Sequence, residues 1–174
     1  MKRLIAALTL ALALPLASHA AEPQWIAALG RGTESADADI LRLGYRHPLP
    51  GKDAWWMPTH AQLGASLWRV PDIRGTTRRF DLNATAIWRA ERGWGYYEAG
   101  FGGYLLSKTI NNDDTRVPSA FEFGSHIGIG FRLAKNHTLG IGLQHLSNAG
   151  IKQPNGGIDL LLVQYTVSTG TPNR

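Results

Sequence analysis

A histidine, a serine and an aspartate lie close together in the last third of the chain, as His145, Ser147 and Asp159. His145 and Ser147 are two apart, so on a β-strand both side chains leave the same face. Gln153, Pro154, Asn155, Gly156 and Gly157 read as a turn. Asp159 then falls just inside the returning strand, beside the pair it left. A base, a hydroxyl nucleophile and a carboxylate so placed are the parts of a Ser-His-acid hydrolase, which is recognised by roles rather than by chain order. A serine two residues from a histidine also arises by chance, and Asp159 alone serves equally well as a turn residue. The elements that position the three residues therefore decide the reading.

Those elements repeat with period two. Strand candidates are 23–31, 38–47, 59–70, 78–90, 94–106, 120–133, 137–147 and 157–167, separated by turn and loop signals that include the whole of 109–118. In 137–147 one face carries Leu139, Ile141 and Leu143, then His145 and Ser147, and the other carries Thr138, Gly140, Gly142, Gln144 and Leu146. In 120–133 the split is Phe121, Phe123, Ser125, Ile127, Ile129, Phe131 and Leu133 against Glu122, Gly124, His126, Gly128, Gly130 and Arg132. Strand 38–47 sets Leu41, Leu43 and Tyr45 against Arg42, Gly44 and Arg46. A soluble two-faced sheet would turn the glycine-rich face to water, where the glycines gain nothing. A membrane barrel turns the apolar face to lipid and packs small and charged residues into a narrow interior. On that reading Glu98, Glu122, Arg42, Arg46, Arg89, Arg132 and His126 pair inside, because buried charges must be paired.

The first 20 residues read as a secretory signal peptide, with Lys2 and Arg3 ahead of an apolar run and Ser18-His19-Ala20 before the cleavage point. The rest, 21–174, reads as a single all-β domain: an eight-stranded antiparallel transmembrane barrel of the bacterial outer membrane. Losing Lys2 and Arg3 lowers the formal charge from +5 to +3, too little to argue for nucleic acid as a partner. There is no cysteine, although an exported chain is free to use disulfides. The histidines show no metal-ligand spacing, so neither metal nor cofactor is expected. His47, His60 and His137 read as solvated strand-end residues. Trp55, Trp56, Trp68, Trp88 and Trp94 read as an interfacial belt.

Short periplasmic turns place both termini of an even-stranded barrel in the periplasm. Strand 137–147 then runs outward, and His145, Ser147 and Asp159 come to the outer-leaflet end of the lipid-facing wall. A polar cluster on that wall is costly, and a lipid substrate is what it suits.

The run 145–159, His-Leu-Ser-Asn-Ala-Gly-Ile-Lys-Gln-Pro-Asn-Gly-Gly-Ile-Asp, closely resembles the signature of the outer-membrane lipid A 3-O-deacylases, the PagL family. Phe121-Glu-Phe-Gly-Ser-His-Ile-Gly-Ile-Gly130 resembles that family more loosely. The resemblance implies an eight-stranded barrel that hydrolyses the ester-linked acyl chain at position 3 of lipid A. Its partners would be lipopolysaccharide and the surrounding outer-membrane lipids. It implies Ser147 as nucleophile, His145 as general base and Asp159 as the orienting acid, at a position where the family leads one to expect Glu. It also implies Asn148 and the Gly150 N–H as oxyanion donors, and Phe123 and Asn155 as support. Lys108 and Lys152, in or near the outer loops, are candidates to meet lipid A phosphates. Competing readings are an outer-membrane phospholipase or acyltransferase using the same parts, a non-enzymatic structural barrel, and a soluble periplasmic ligand-binding barrel. Homo-oligomerisation is left open.

Overall fold

Eight strands hydrogen-bond in a ring with no free edge. The structure, a computed structural model, describes residues 22–33, 37–50, 56–72, 75–111, 116–117, 119–153 and 155–169. The segment read as a signal peptide and Trp55 of the expected belt lie outside these residues. The barrel strands are β1 (Gln24–Gly32), β2 (Asp39–Pro48), β3 (His60–Asp72), β4 (Gly75–Arg92), β5 (Gly95–Leu106), β8 (Phe121–Ala134), β9 (His137–Ser147) and β10 (Ile158–Ser168). Two further short strands, β6 (Ile110–Asn111) and β7 (Arg116–Val117), form a separate hairpin between β5 and β8. Around the ring the order is β1-β10-β9-β8-β5-β4-β3-β2, every neighbour antiparallel.

All eight expected strands are present, with ends displaced by a few residues at most. The segment 109–118, read as plain loop, contains the β6–β7 hairpin instead. Its formation has an apolar cause: Ile110 and Val117 pair with each other and are buried in the barrel's main hydrophobic cluster.

Alternation assigns the faces. Leu29, Leu43, Leu63, Leu143 and Phe101 each leave about half or more of their surface exposed on the outside. Arg42, Arg46, Gln62, Asp81, Asn83, Arg89, Glu98, Glu122 and Gln144 are buried within. That is the pattern of a barrel solvated by lipid. Aromatic pairs mark the wall at the end away from Ser147. They are Trp25 with Tyr45 (5.1 Å), Trp94 with Tyr97 (5.3 Å) and Trp94 with Phe131 (5.5 Å).

The interior has two storeys. At the end away from Ser147, Glu98 is the hub. Its carboxylate accepts from Arg46 Nη1 at 2.9 Å and from Arg89 Nη2 at 2.7 Å, and His126 Nε2 lies 3.5 Å away. Arg89 also stacks over the Tyr96 ring, 3.6 Å from its centroid. Arg42 donates to Ser66 Oγ at 2.9 Å and to Gln144 Oε1 at 2.7 Å. Towards the Ser147 end the filling turns apolar: Ile40, Trp68, Tyr104, Leu106, Leu146, Ile158 and Leu160, with Ile110 and Val117 of the β6–β7 hairpin over them. Glycines make room for the bulky interior residues; a Cβ on Gly140 would lie 2.7 Å from the Tyr96 hydroxyl.

Four sequence expectations need correction here. Trp68 is no belt residue: it points inward, fully buried, and its Nε1 donates to Asp81 Oδ2 at 2.6 Å. Its position shares a face with Gln62 and Ser66, so strand parity overrides the residue type. His60 is buried rather than solvated, with Nδ1 2.8 Å from Thr59 Oγ1. Arg132 lies at the rim, 3.8 Å from Glu91, rather than inside. Glu122 is buried, but its partner is a hydroxyl, Ser119 Oγ at 2.7 Å, rather than an arginine.

Candidate active site

Four adjacent strands, β10, β9, β8 and β5, build the site on the outward wall. His145 of β9 is the register partner of Asp159 on β10 on one side and of Ser125 on β8 on the other. Side chains directly opposite across an antiparallel pair have Cβ atoms about 5 Å apart, within reach of an imidazole and a short carboxylate. His145 Nδ1 lies 2.7 Å from Asp159 Oδ1. Where Asp159 Oδ1 is the acceptor, Nδ1 is the donor of this contact and Nε2 is the ring nitrogen left outside it.

Ser147 is two residues along the same face of β9 and stands opposite Phe123 in register. Ser147, His145, Ser125, Phe101, Phe123 and Ala149 line one groove of about 270 Å³. Its aromatic side is ordered by ring packing: Phe123 stacks on Phe101 at 5.9 Å and 12°, and meets Phe121 edge-on at 5.1 Å. The side chains of His145 and Asp159 remain 48% and 59% exposed, so a ligand lying on the wall can reach both.

The inward neighbours of these residues fix their backbone. Leu146, Ile158 and Leu160 are buried in the apolar storey directly behind His145, Ser147 and Asp159. The loop after Ser147 is braced by Asn148, which is fully buried. Asn148 Oδ1 accepts from the Gly150 N–H at 3.0 Å, and its Nδ2 donates to the Lys152 carbonyl at 3.0 Å. Asn155 Oδ1 in turn accepts from the Asn148 N–H at 3.2 Å. Ala149 and Gly150 both bend the loop with positive φ, 54° and 84°. For an alanine that conformation costs roughly 1–2 kcal/mol, and it projects Ala149 into the groove.

The structure thus brings His145, Ser147, Asp159 and Phe123 together. It places Asn148, Gly150 and Asn155 in the loop beside them, with the Asn148 carboxamide and the Gly150 N–H engaged with each other. Lys108 and Lys152 are exposed at the same end of the barrel. Four site residues went unnoticed in the sequence: Phe101, Ser125, Ala149 and Gly157. Ser125 had a signal, as the one hydroxyl in an otherwise apolar odd set on its strand. Gly157 had none beyond a turn. With φ of 66° it passes so close to the imidazole that a Cβ there would lie 2.8 Å from His145 Cε1. Among the described residues no group of His, Asp and Glu is arranged to hold a metal.

Fold and site together define a membrane β-barrel with a hydroxyl, an imidazole and a carboxylate set into its lipid-facing wall. The chain belongs to the family described as lipid A 3-O-deacylase (PagL), whose sequence model matches residues 39–168. It is 41% identical over 106 residues to the lipid A deacylase PagL of Bordetella bronchiseptica, covering 60% of this chain and 59% of that one. It is 36% identical over 72 residues to the lipid A deacylase PagL of Pseudomonas aeruginosa, covering 41% of each. The matched regions thus span less than two thirds of either relative's length. Among solved structures, the outer membrane enzyme PagL superposes with a TM-score of 0.66 at 24% identity, over 84% of this chain and 99% of that one. Neisserial surface protein A superposes with a TM-score of 0.50 at 14% identity, over 84% of this chain and 96% of that one. The barrel is therefore of the outer-membrane type.

Proposed function

We propose that this protein is a lipid A 3-O-deacylase that works as a serine esterase. The observation that carries the reading is the 2.7 Å contact from His145 to Asp159 beside Ser147, in a groove open along the apolar wall. A base so oriented on a surface that contacts acyl chains suits an ester whose own chains lie in the membrane. The names of the family and of its two relatives supply the ester: an acyl chain on lipid A.

In this reading His145 Nε2 takes the proton of Ser147, and Oγ forms a bond to the ester carbonyl carbon. Asp159 holds the imidazole in the useful tautomer and stabilises the imidazolium. The oxyanion takes N–H donors from the loop of Asn148 and Gly150, with the Gly150 N–H exchanging Asn148 Oδ1 for the oxyanion. Each such donor contributes about 3–4 kcal/mol in well-studied hydrolases. The tetrahedral adduct collapses, the bond to the sugar oxygen breaks, and His145 returns the proton to that oxygen. Water then attacks the acyl-serine with His145 again as base, releasing the fatty acid and restoring Ser147. Phe101 and Phe123 form the apolar flank on which the scissile chain lies. The outer leaflet is the assigned working surface, and Lys108 and Lys152 are assigned to the phosphates.

Labelling the folded barrel with a lipophilic phosphonate ester and mapping the modified peptide tests the nucleophile. The expected label is on Ser147. Labelling of Ser125, the other hydroxyl in the groove, would overturn the assignment. So would no labelling of a barrel that hydrolyses lipid A.

A further inference from the structure

On the wall formed by β1 to β4, four charged residues occupy one rung. Arg31 of β1 pairs in register with Asp39 of β2, Asp39 with Arg69 of β3, and Arg69 with Arg78 of β4. The next rung towards the middle of the barrel is Leu29, Leu41, Leu67 and Phe80, all exposed. The charged rung therefore crowns the apolar wall at the Ser147 end, the level at which headgroups meet hydrocarbon. Arg31 stands opposite Leu161 of β10, two residues from Asp159, whereas the β3–β4 seam that carries Arg69 and Arg78 is four strands from the β9–β10 seam of His145 and Asp159 in either direction around the ring.

The charges are unequally satisfied. Arg31 is paired with Asp37 at 3.0 Å and Asp39 at 3.7 Å. Arg69 and Arg78 are exposed and face each other directly, and no carboxylate of the described residues pairs with either. Like charges directly opposite across a ladder weaken the sheet. An anion bridging both guanidiniums would remove that repulsion.

We infer that Arg69 and Arg78 form a binding site for the phosphomonoester headgroup of a membrane lipid. A phosphomonoester carries about −1.5 to −2 charge near neutrality and three acceptor oxygens, matching two forked guanidiniums. The acyl chains of the same lipid lie on Leu67 and Phe80 below. A phosphodiester headgroup carries a single charge and leaves one positive charge of the pair uncompensated. Free phosphate lacks the chains that the apolar rung receives. The site requires only that this wall face lipid, and it is independent of the esterase reading of the groove.

The test uses the full barrel carrying Ser147→Ala, so that no lipid is consumed, in mixed micelles with phosphatidic acid, phosphatidylglycerol or phosphatidylcholine, or with inorganic phosphate alone. Thermal unfolding is followed as each is titrated. Phosphatidic acid is expected to raise the unfolding temperature more than the other three. The double variant Arg69→Gln/Arg78→Gln should weaken its apparent affinity about tenfold or more, as loss of charge-assisted bonds implies. That variant removes a like-charge pair, so without lipid it should unfold no earlier than its parent. Arg69→Lys/Arg78→Lys keeps the charge and loses the fork, and should fall between. An unchanged response in the glutamine variant would overturn the proposal. Equal stabilisation by phosphatidylglycerol would reduce the rung to a general anionic attraction, and equal stabilisation by inorganic phosphate would make it a soluble-anion site; either result contradicts the lipid assignment.

Discussion

Asp159 has a shorter side chain than the Glu expected at its position, and the register makes up the difference. Because Asp159 and His145 are direct cross-strand partners, a short carboxylate reaches Nδ1 at 2.7 Å. Asp159→Asn keeps the shape and loses the charge and the tautomer control. It should lower kcat by about 10²- to 10⁴-fold while changing KM little, as read by steady-state hydrolysis in mixed micelles. Gly157 is the less obvious dependence. Gly157→Ala imposes a positive φ on a side chain, costing roughly 1–2 kcal/mol, and drives a methyl group against the imidazole. It should lower kcat more than about tenfold, since small displacements of a catalytic group are costly, in a barrel that still folds by heat-modified gel mobility. The grouping of His145, Ser147 and Asp159 was legible in the sequence because strand parity and a turn suffice to place it. Ser125 stood out only as a lone hydroxyl and Gly157 only as a turn residue, because their places beside His145 depend on which strands pair and in what register.

At the scale of elements, β9 and β10 are held from behind. Leu146, Ile158 and Leu160 anchor the site strands in the apolar storey, while Glu98 ties β2, β4 and β5 together through Arg46 and Arg89. Glu98→Ala leaves Arg46 buried without an anion and Arg89 with Glu91 alone, 3.6 Å away. It should destabilise the barrel by about 3–5 kcal/mol, measured by urea unfolding in lipid vesicles, with the activity of the folded fraction preserved. The charged interior was readable from alternation alone, Glu98 and His126 included. Trp68 and His60 depart from expectation because parity outweighs residue type, each sitting at an inward position whatever its preference for interfaces or water, whereas Arg132 departs from parity itself, lying near the end of β8 where the strand reaches the rim. The β6–β7 hairpin escaped because its strands are only two residues each. It is stabilised by burial over the barrel mouth, which no local pattern reports.

The whole molecule is a wall turned outward, with hydrocarbon as the medium of both fold and site. Ile141 lies midway along β9 on that wall. Ile141→Arg should cost about 2–4 kcal/mol of folding into a bilayer, the penalty for a cation near the midplane, and much less in a thin detergent micelle. A penalty equal in both media would place Ile141 away from lipid. The closed eight-stranded ring followed from strand count and face assignment. The Arg69–Arg78 opposition did not, because it emerges only when β3 and β4 are set in register. Whether Ser147 in this wall removes an acyl chain from lipid A is decided by mass spectrometry of lipid A. Cells expressing the chain are compared with cells expressing Ser147→Ala, both barrels being shown folded in the outer membrane. Loss of one ester-linked acyl chain is expected with the unaltered protein alone. Lipid A of the same mass in both, or the same loss in both, would contradict that expectation.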